Sequence, residues 1–140
     1  MDGPAAEEPT RVLIVDDDER FAASVSALFD TDGRVEAAGW ASNGAEAYSQ
    51  VVALRPDLVS MDIDMPVLDG VEAIRLILEH DPTLPIIVLS GSVSNERIEE
   101  ALAAGAIERV AKSQATDELV DKIVAAHRSR AGASRSSRAS

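Results

Sequence analysis

Three stretches of this chain are apolar at almost every position: Val12-Leu13-Ile14-Val15, Leu58-Val59 with Met61, and Ile86-Ile87-Val88-Leu89. Runs this short, bounded by turn residues, predict strands covered on both faces. Each ends on a polar group: the first opens into Asp16-Asp17-Asp18-Glu19, the second into Asp62, the third into Ser90. Between them, apolar residues recur at helical spacing. After the first strand (11–16), Phe21, Val25, Leu28 and Phe29 share one face of a helix that Asp32-Gly33 ends. Residues 35–40 form a weaker strand, interrupted by Gly39 and therefore nearer a sheet edge. Ser42-Asn43-Gly44 opens a second helix with Ala47, Val51 and Leu54 inward, and Pro56 closes it.

Strand three covers 57–61, and a third helix follows Gly70 with Val71, Ile74, Ile77 and Leu78 inward, stopping near Asp81-Pro82. Strand four covers 85–90. A fourth helix, 96–104, offers only Ile98, Ala101 and Leu102 to a core, so mobility is expected there. Strand five, 107–111, ends at Lys112, and a fifth helix, 116–128, packs through Leu119, Ile123 and Val124. Five strands alternating with five helices predict an α/β fold: a doubly wound parallel sheet in three layers.

Composition narrows the class. A chain of 140 residues makes one domain, and with aromatics at 3% its core is aliphatic. The absence of Cys excludes disulfides and thiol chemistry and fits a cytoplasmic location. Residues 1–10 lack an apolar run, so they read as a flexible N-terminus rather than a signal peptide. The apolar runs are too short to span a bilayer. The net charge of −12 is unevenly spread: 25 acids against 9 bases give −16 over residues 1–127, and four Arg give the tail +4. So acidic a body repels DNA phosphates, which argues against direct DNA binding by this domain. Residues 129–140, rich in Ser, Arg, Ala and Gly, read as a flexible tail or linker after a domain spanning 11–128.

The strand ends carry the candidate chemistry. Asp16 and Asp17, Asp62, Ser90 and Lys112 converge on one sheet edge if strands one, three, four and five are neighbours. Clustered carboxylates suit a hard divalent cation with oxygen ligands, which favours Mg²⁺. A metal and a Lys together neutralise phosphoryl oxygens, and a carboxylate can become an acyl phosphate. No Gly-rich nucleotide cradle follows any strand.

The motifs jointly resemble the response-regulator receiver domain, the CheY-like phosphoacceptor module of two-component signalling. They are Val-Asp-Asp at 15–17, Met-Asp-x-x-Met-Pro-x-x-Asp-Gly at 61–70, Leu-Ser-Gly at 89–91, and Ala-Gly-Ala at 104–106 followed by Lys112. The resemblance implies a flavodoxin-like sheet of order 2-1-3-4-5. It implies Asp62 as phosphoacceptor, taking its phosphoryl group from a sensor histidine kinase or a histidine phosphotransfer protein. Asp17, Asp62 and the backbone carbonyl of Asp64 would then hold Mg²⁺, with Asp16 acting through a water. Ser90 and Lys112 would meet the phosphoryl oxygens. The side chains of Asp64 and Ser92 would tune the lifetime of the phosphoryl group, and Asp18 would start the helix. Such a domain is a signalling switch rather than an enzyme with a separate substrate, and it works through an output domain, a downstream protein or a homodimer.

Two positions depart from the family pattern. Arg109 stands three residues before Lys112, where receivers usually carry Tyr or Phe, and Ser113 follows Lys112 where many carry Pro. The second feature is similar to the subclass usually fused to a helix-turn-helix output domain. Two other readings stay open. Asp62-Ile63-Asp64 also resembles the Asp-x-Asp signature of haloacid-dehalogenase-type phosphatases, although that motif belongs on a first strand. Arg109 motivates a receiver-like interaction module that is never phosphorylated. His80 and His127 lack converging partners in sequence, and Trp40 and Tyr48 read as packing residues.

Overall fold

The computed structural model describes residues 8–63, 65, 70–91, 95–114 and 117–139. Its strands are β1 (Thr10–Val15), β2 (Val35–Ala41), β3 (Leu58–Asp62), β4 (Ile86–Ser90) and β5 (Glu108–Ala111). Its helices are α1 (Glu19–Asp32), α2 (Gly44–Leu54), α3 (Gly70–His80), α4 (Asn95–Ala104) and α5 (Asp117–Ala139). The strands form one parallel sheet in the order β2-β1-β3-β4-β5, as the resemblance implied.

Strand alternation divides the core in two. Val12 and Ile14 face α1 and α5, packing with Val25, Phe29, Leu119 and Ile123. Leu13 and Val15 face α2, α3 and α4, packing with Val51, Ile74, Ile77 and Ile98. The strands β3 and β4 are buried at every position, which is why they read as continuous apolar runs. The Gly-interrupted strand is the edge, as expected: β2 pairs with β1 alone and slips register between Val12 and Leu13. Caps fix where helices begin. Asp18 accepts from the amides of Arg20 and Phe21 at the start of α1. Asn43 accepts from Glu46 N at the start of α2, while the Glu46 carboxylate accepts from Ser42 N, one residue before the cap.

Four expectations need correcting. Leu102 is 38% exposed, because Ile98 and Ala101, with Ala104 partly buried, fill the narrow inward face of α4. Ile107 precedes β5 and is 54% exposed. Trp40 and Tyr48 lie at the surface rather than in the core, with Tyr48 edge-on to His80 at 6.2 Å between ring centroids. The fifth helix does not stop at 128. It continues to Ala139 through the stretch whose composition suggested a linker. Ala and Arg are good helix formers, and Arg130 is docked on Asp81 at 3.0 Å. The boundary placed at residue 10 begins β1, and residues 1–7 lie outside the described residues.

Candidate functional site

Register assembles the site. Val15 pairs with Met61, Asp62 with Leu89, and Ser90 with Ala111. Asp16 and Lys112, one residue beyond their strands, therefore leave the sheet at the edge where Asp62 and Ser90 end theirs. Asp16 and Asp62 are 1% and 2% exposed, whereas Asp17 is open to solvent. Oxygens of all three carboxylates lie within 4.8 Å of one another.

Lys112 lies against this cluster. Its Nζ is 2.8 Å from Asp16 Oδ2, 3.3 Å from Asp62 Oδ2, and 4.6 Å from the centroid of the Phe21 ring. Burial pulls the Lys112 pKa down, but the two carboxylates outweigh it and hold the ammonium above its usual range. Burial pushes the Asp16 carboxyl up, helped by the charge of Asp62 and opposed by Lys112 and the amide of Asp18. The main chain holds Asp16 in place. Its Oδ1 accepts from Asp18 N at 2.8 Å, and its carbonyl accepts from Trp40 Nε1 at 2.8 Å.

The carboxylates outnumber the charge that offsets them. Asp16 Oδ2 is buried, and the Lys112 ammonium at 2.8 Å, which Asp62 shares, is its one charged partner among the described residues. A buried carboxylate oxygen in that state, beside two further carboxylates, fits a hard cation. The donor set is all oxygen, as Mg²⁺ requires.

Of the residues predicted from sequence, Asp16, Asp17, Asp62 and Lys112 converge directly. Ser90 ends β4 beside β3, buried to 8% exposure. Asp64 and Ser92 lie outside the described residues. Arg109 is exposed on β5, as its charge demands. His80 and His127 line a separate cavity of about 640 Å³ with Arg55, Asp81 and Arg130, away from the carboxylates. Sequence reasoning missed Trp40, Phe21 and Arg97. Arg97 donates from Nη2 to the carbonyl of Ile63 at 3.0 Å. The Trp40 and Arg97 contacts cross 24 and 34 residues, and no local pattern announces them.

Comparison with known proteins points to one family. The family model for the response regulator receiver domain matches residues 12–124. A protein-glutamate methylesterase/protein-glutamine glutaminase of Pseudomonas aeruginosa is 40% identical over 106 residues, covering 74% of this chain and 28% of that protein. A counterpart in Carboxydothermus hydrogenoformans is 41% identical over 117 residues, covering 82% of this chain and 33% of that protein. The chain thus spans about a third or less of the curated relatives it matches. Among solved structures, the response regulator domain of Thermotoga maritima CheB superposes with a TM-score of 0.79 at 30% identity, covering 86% of this chain and 97% of that one. A LuxR-family two-component response regulator from Aurantimonas gives 0.80 at 29%, covering 87% of each. The phosphatase and unphosphorylated-module readings find no support here, and the helix-turn-helix subclass is not established. The Asp-x-Asp pattern begins at the end of β3, not on a first strand.

Proposed function

This chain belongs to the response regulator receiver family, and we propose that Asp62 accepts its phosphoryl group from the phosphohistidine of a sensor kinase or a histidine phosphotransfer protein. One observation carries the assignment. Asp62 is the carboxylate at the end of the central β3, 2% exposed, inside a three-carboxylate cluster and 3.3 Å from the Lys112 ammonium. An Asp62 oxygen attacks phosphorus as the N–P bond breaks, and the bonding pair leaves with the imidazole nitrogen of the donor. Lys112 changes partner, from a carboxylate oxygen to a phosphoryl oxygen, and the Ser90 hydroxyl donates to another. Asp17, Asp62 and the Asp64 carbonyl would hold Mg²⁺, with Asp16 reaching it through water. That cation supplies positive charge against the phosphoryl oxygens.

The chain then acts as a switch. Its output is a change of conformation read by an effector domain, a downstream protein or a second copy, not turnover of a separate substrate. The methylesterase relatives make an effector of that kind the first to test. No described helix is long and apolar enough to cross a membrane, and we place the chain in the cytoplasm.

The test is intact-mass analysis after incubation with Mg²⁺ and a small acyl-phosphate donor. Gain of one phosphoryl mass, dependent on Mg²⁺ and absent from Asp62→Asn, is the expected result. A wild-type mass that stays constant while Mg²⁺ binds would overturn the assignment.

A further inference from the structure

We propose that Arg97 is a positioning residue for the phosphoacceptor, fixing the chain just after Asp62 and tying that loop to α4. The inference rests on Asp62 being the phosphoacceptor and adds a part to that site.

Ile63 is fully buried and lies one residue past the last paired position of β3, Asp62 opposite Leu89. A buried carbonyl needs a donor wherever the sheet ladder stops supplying one. Among the described residues, the donor that reaches Ile63 O is the Arg97 guanidinium, at 3.0 Å from a helix 34 residues away. Its other terminal nitrogen, Nη1, lies 3.9 Å from Glu100, one turn along the same helix, with the Arg97 side chain 33% exposed.

This contact does more than satisfy a carbonyl. Holding Ile63 O fixes the orientation of the carbonyl one residue past Asp62, and so the direction in which the chain leaves Asp62. A charge-assisted hydrogen bond from a planar guanidinium is stronger and more directional than a neutral one. Its anchor is α4, where Ile98 and Ala101 are the buried residues among those described and Ala104 is partly buried, so few other contacts fix the helix against the sheet. Movement at the end of β3 therefore reaches α4 through Arg97. By reciprocity, the placement of α4 biases how well the loop is arranged for the cation.

The experiment compares the wild-type chain with Arg97→Ala and Arg97→Lys. Calorimetry measures Mg²⁺ affinity, intact mass measures the rate of phosphoryl gain, and hydrogen exchange follows α4 with and without Mg²⁺ plus beryllofluoride. Arg97→Ala is expected to weaken Mg²⁺ binding and slow phosphoryl gain about fivefold, and to abolish the ligand-linked change in α4 protection. Arg97→Lys, which keeps a cationic donor, is expected to restore both to within about twofold. Equal affinity and rate in wild type and Arg97→Ala overturn the proposal. So does a loss that Lys fails to repair and that tracks a fall in Tm, since that marks a purely structural contact. A wild type that gains no phosphoryl group sinks the phosphoacceptor reading instead, and the Mg²⁺ and α4 measurements then decide Arg97 by themselves.

Discussion

The indole of Trp40 donates a 2.8 Å hydrogen bond to the backbone carbonyl of Asp16, linking the chain's one tryptophan to one of its three clustered carboxylates. Trp40 is 40% exposed, so its emission is sensitive to solvent and to the placement of that carbonyl. Mg²⁺ binding should therefore change Trp40 fluorescence in a saturable way. Asp17→Asn should shift the titration to higher Mg²⁺, and Trp40→Phe should remove the signal at a cost of about 1 kcal/mol. A flat titration in wild type, with binding seen by calorimetry, would break the link.

Lys112 is the cation that two buried carboxylates share. Replacing it with Met removes the charge but keeps the apolar stem over Phe21. Asp16 and Asp62 are then left together without their counter-charge, which should cost about 3 kcal/mol in Mg²⁺-free urea unfolding. Saturating Mg²⁺ binds the folded state and should return part of that loss. A variant as stable as wild type without Mg²⁺ would show the ion pair to be energetically idle.

A second electrostatic cluster, far from the site, predicts a pH dependence. Arg34 bonds Asp32 through Nε at 2.7 Å and Asp121 through Nη2 at 3.1 Å, joining the end of α1 to α5. The guanidinium holds the Asp32 carboxyl below its ordinary value of 3.8. A lowered carboxyl pKa adds stability that is present above 3.8 and is lost as pH falls through the folded-state value. The stability gap between wild type and Arg34→Ala should be constant near neutrality and close below about pH 4. A gap that widens in acid would reverse the sign.

The site was legible wherever a polar residue interrupts a run that burial keeps apolar. Asp16, Asp62 and Ser90 stand out because the strands they end are buried at nearly every position. Order along the sheet came from the family resemblance, since parallel strands paired across crossovers leave no local mark. What stayed hidden are contacts made by ordinary surface-type residues across long separations. Arg97 reads as one more charge on a polar helix, and Trp40 as packing. The end of α5 was misread for a related reason: composition reports the scarcity of apolar residues after 128, but not the anchor at Asp81.

Gly70 should be intolerant of a side chain. A Cβ there would lie 2.6 Å from Ile63 Cα and 2.9 Å from the carbonyl of Asp62, both backbone atoms that cannot rotate away. Gly70→Ala should cost about 2 kcal/mol in urea unfolding and weaken Mg²⁺ binding, because the strain falls on the end of β3. Gly91→Ala is the control, since among the described residues its Cβ would meet Lys112 Cδ at an ordinary 3.8 Å. Equal effects from the two would remove the argument from close approach.

Arg130 docks the far part of α5 onto the turn between α3 and β4. Its Nη2 reaches Asp81 Oδ2 at 3.0 Å and Oδ1 at 3.3 Å. The two side chains are 28% and 33% exposed, so solvent screens the pair and its worth to global stability is about 0.5 kcal/mol. Its local effect is larger in proportion. Ahead of it, α5 is held by Leu119, Val120, Ile123 and Val124, all buried. Arg130 lies about one and two-thirds turns beyond the last of these. Asp81→Asn should therefore leave the urea midpoint nearly unchanged and speed amide exchange after residue 128, with 118–125 unaffected. Wild type in about 1 M salt should move the same way, because screening weakens an exposed pair without touching the apolar anchors. If exchange beyond 128 ignores both Asp81→Asn and salt, the helix holds its end without this contact.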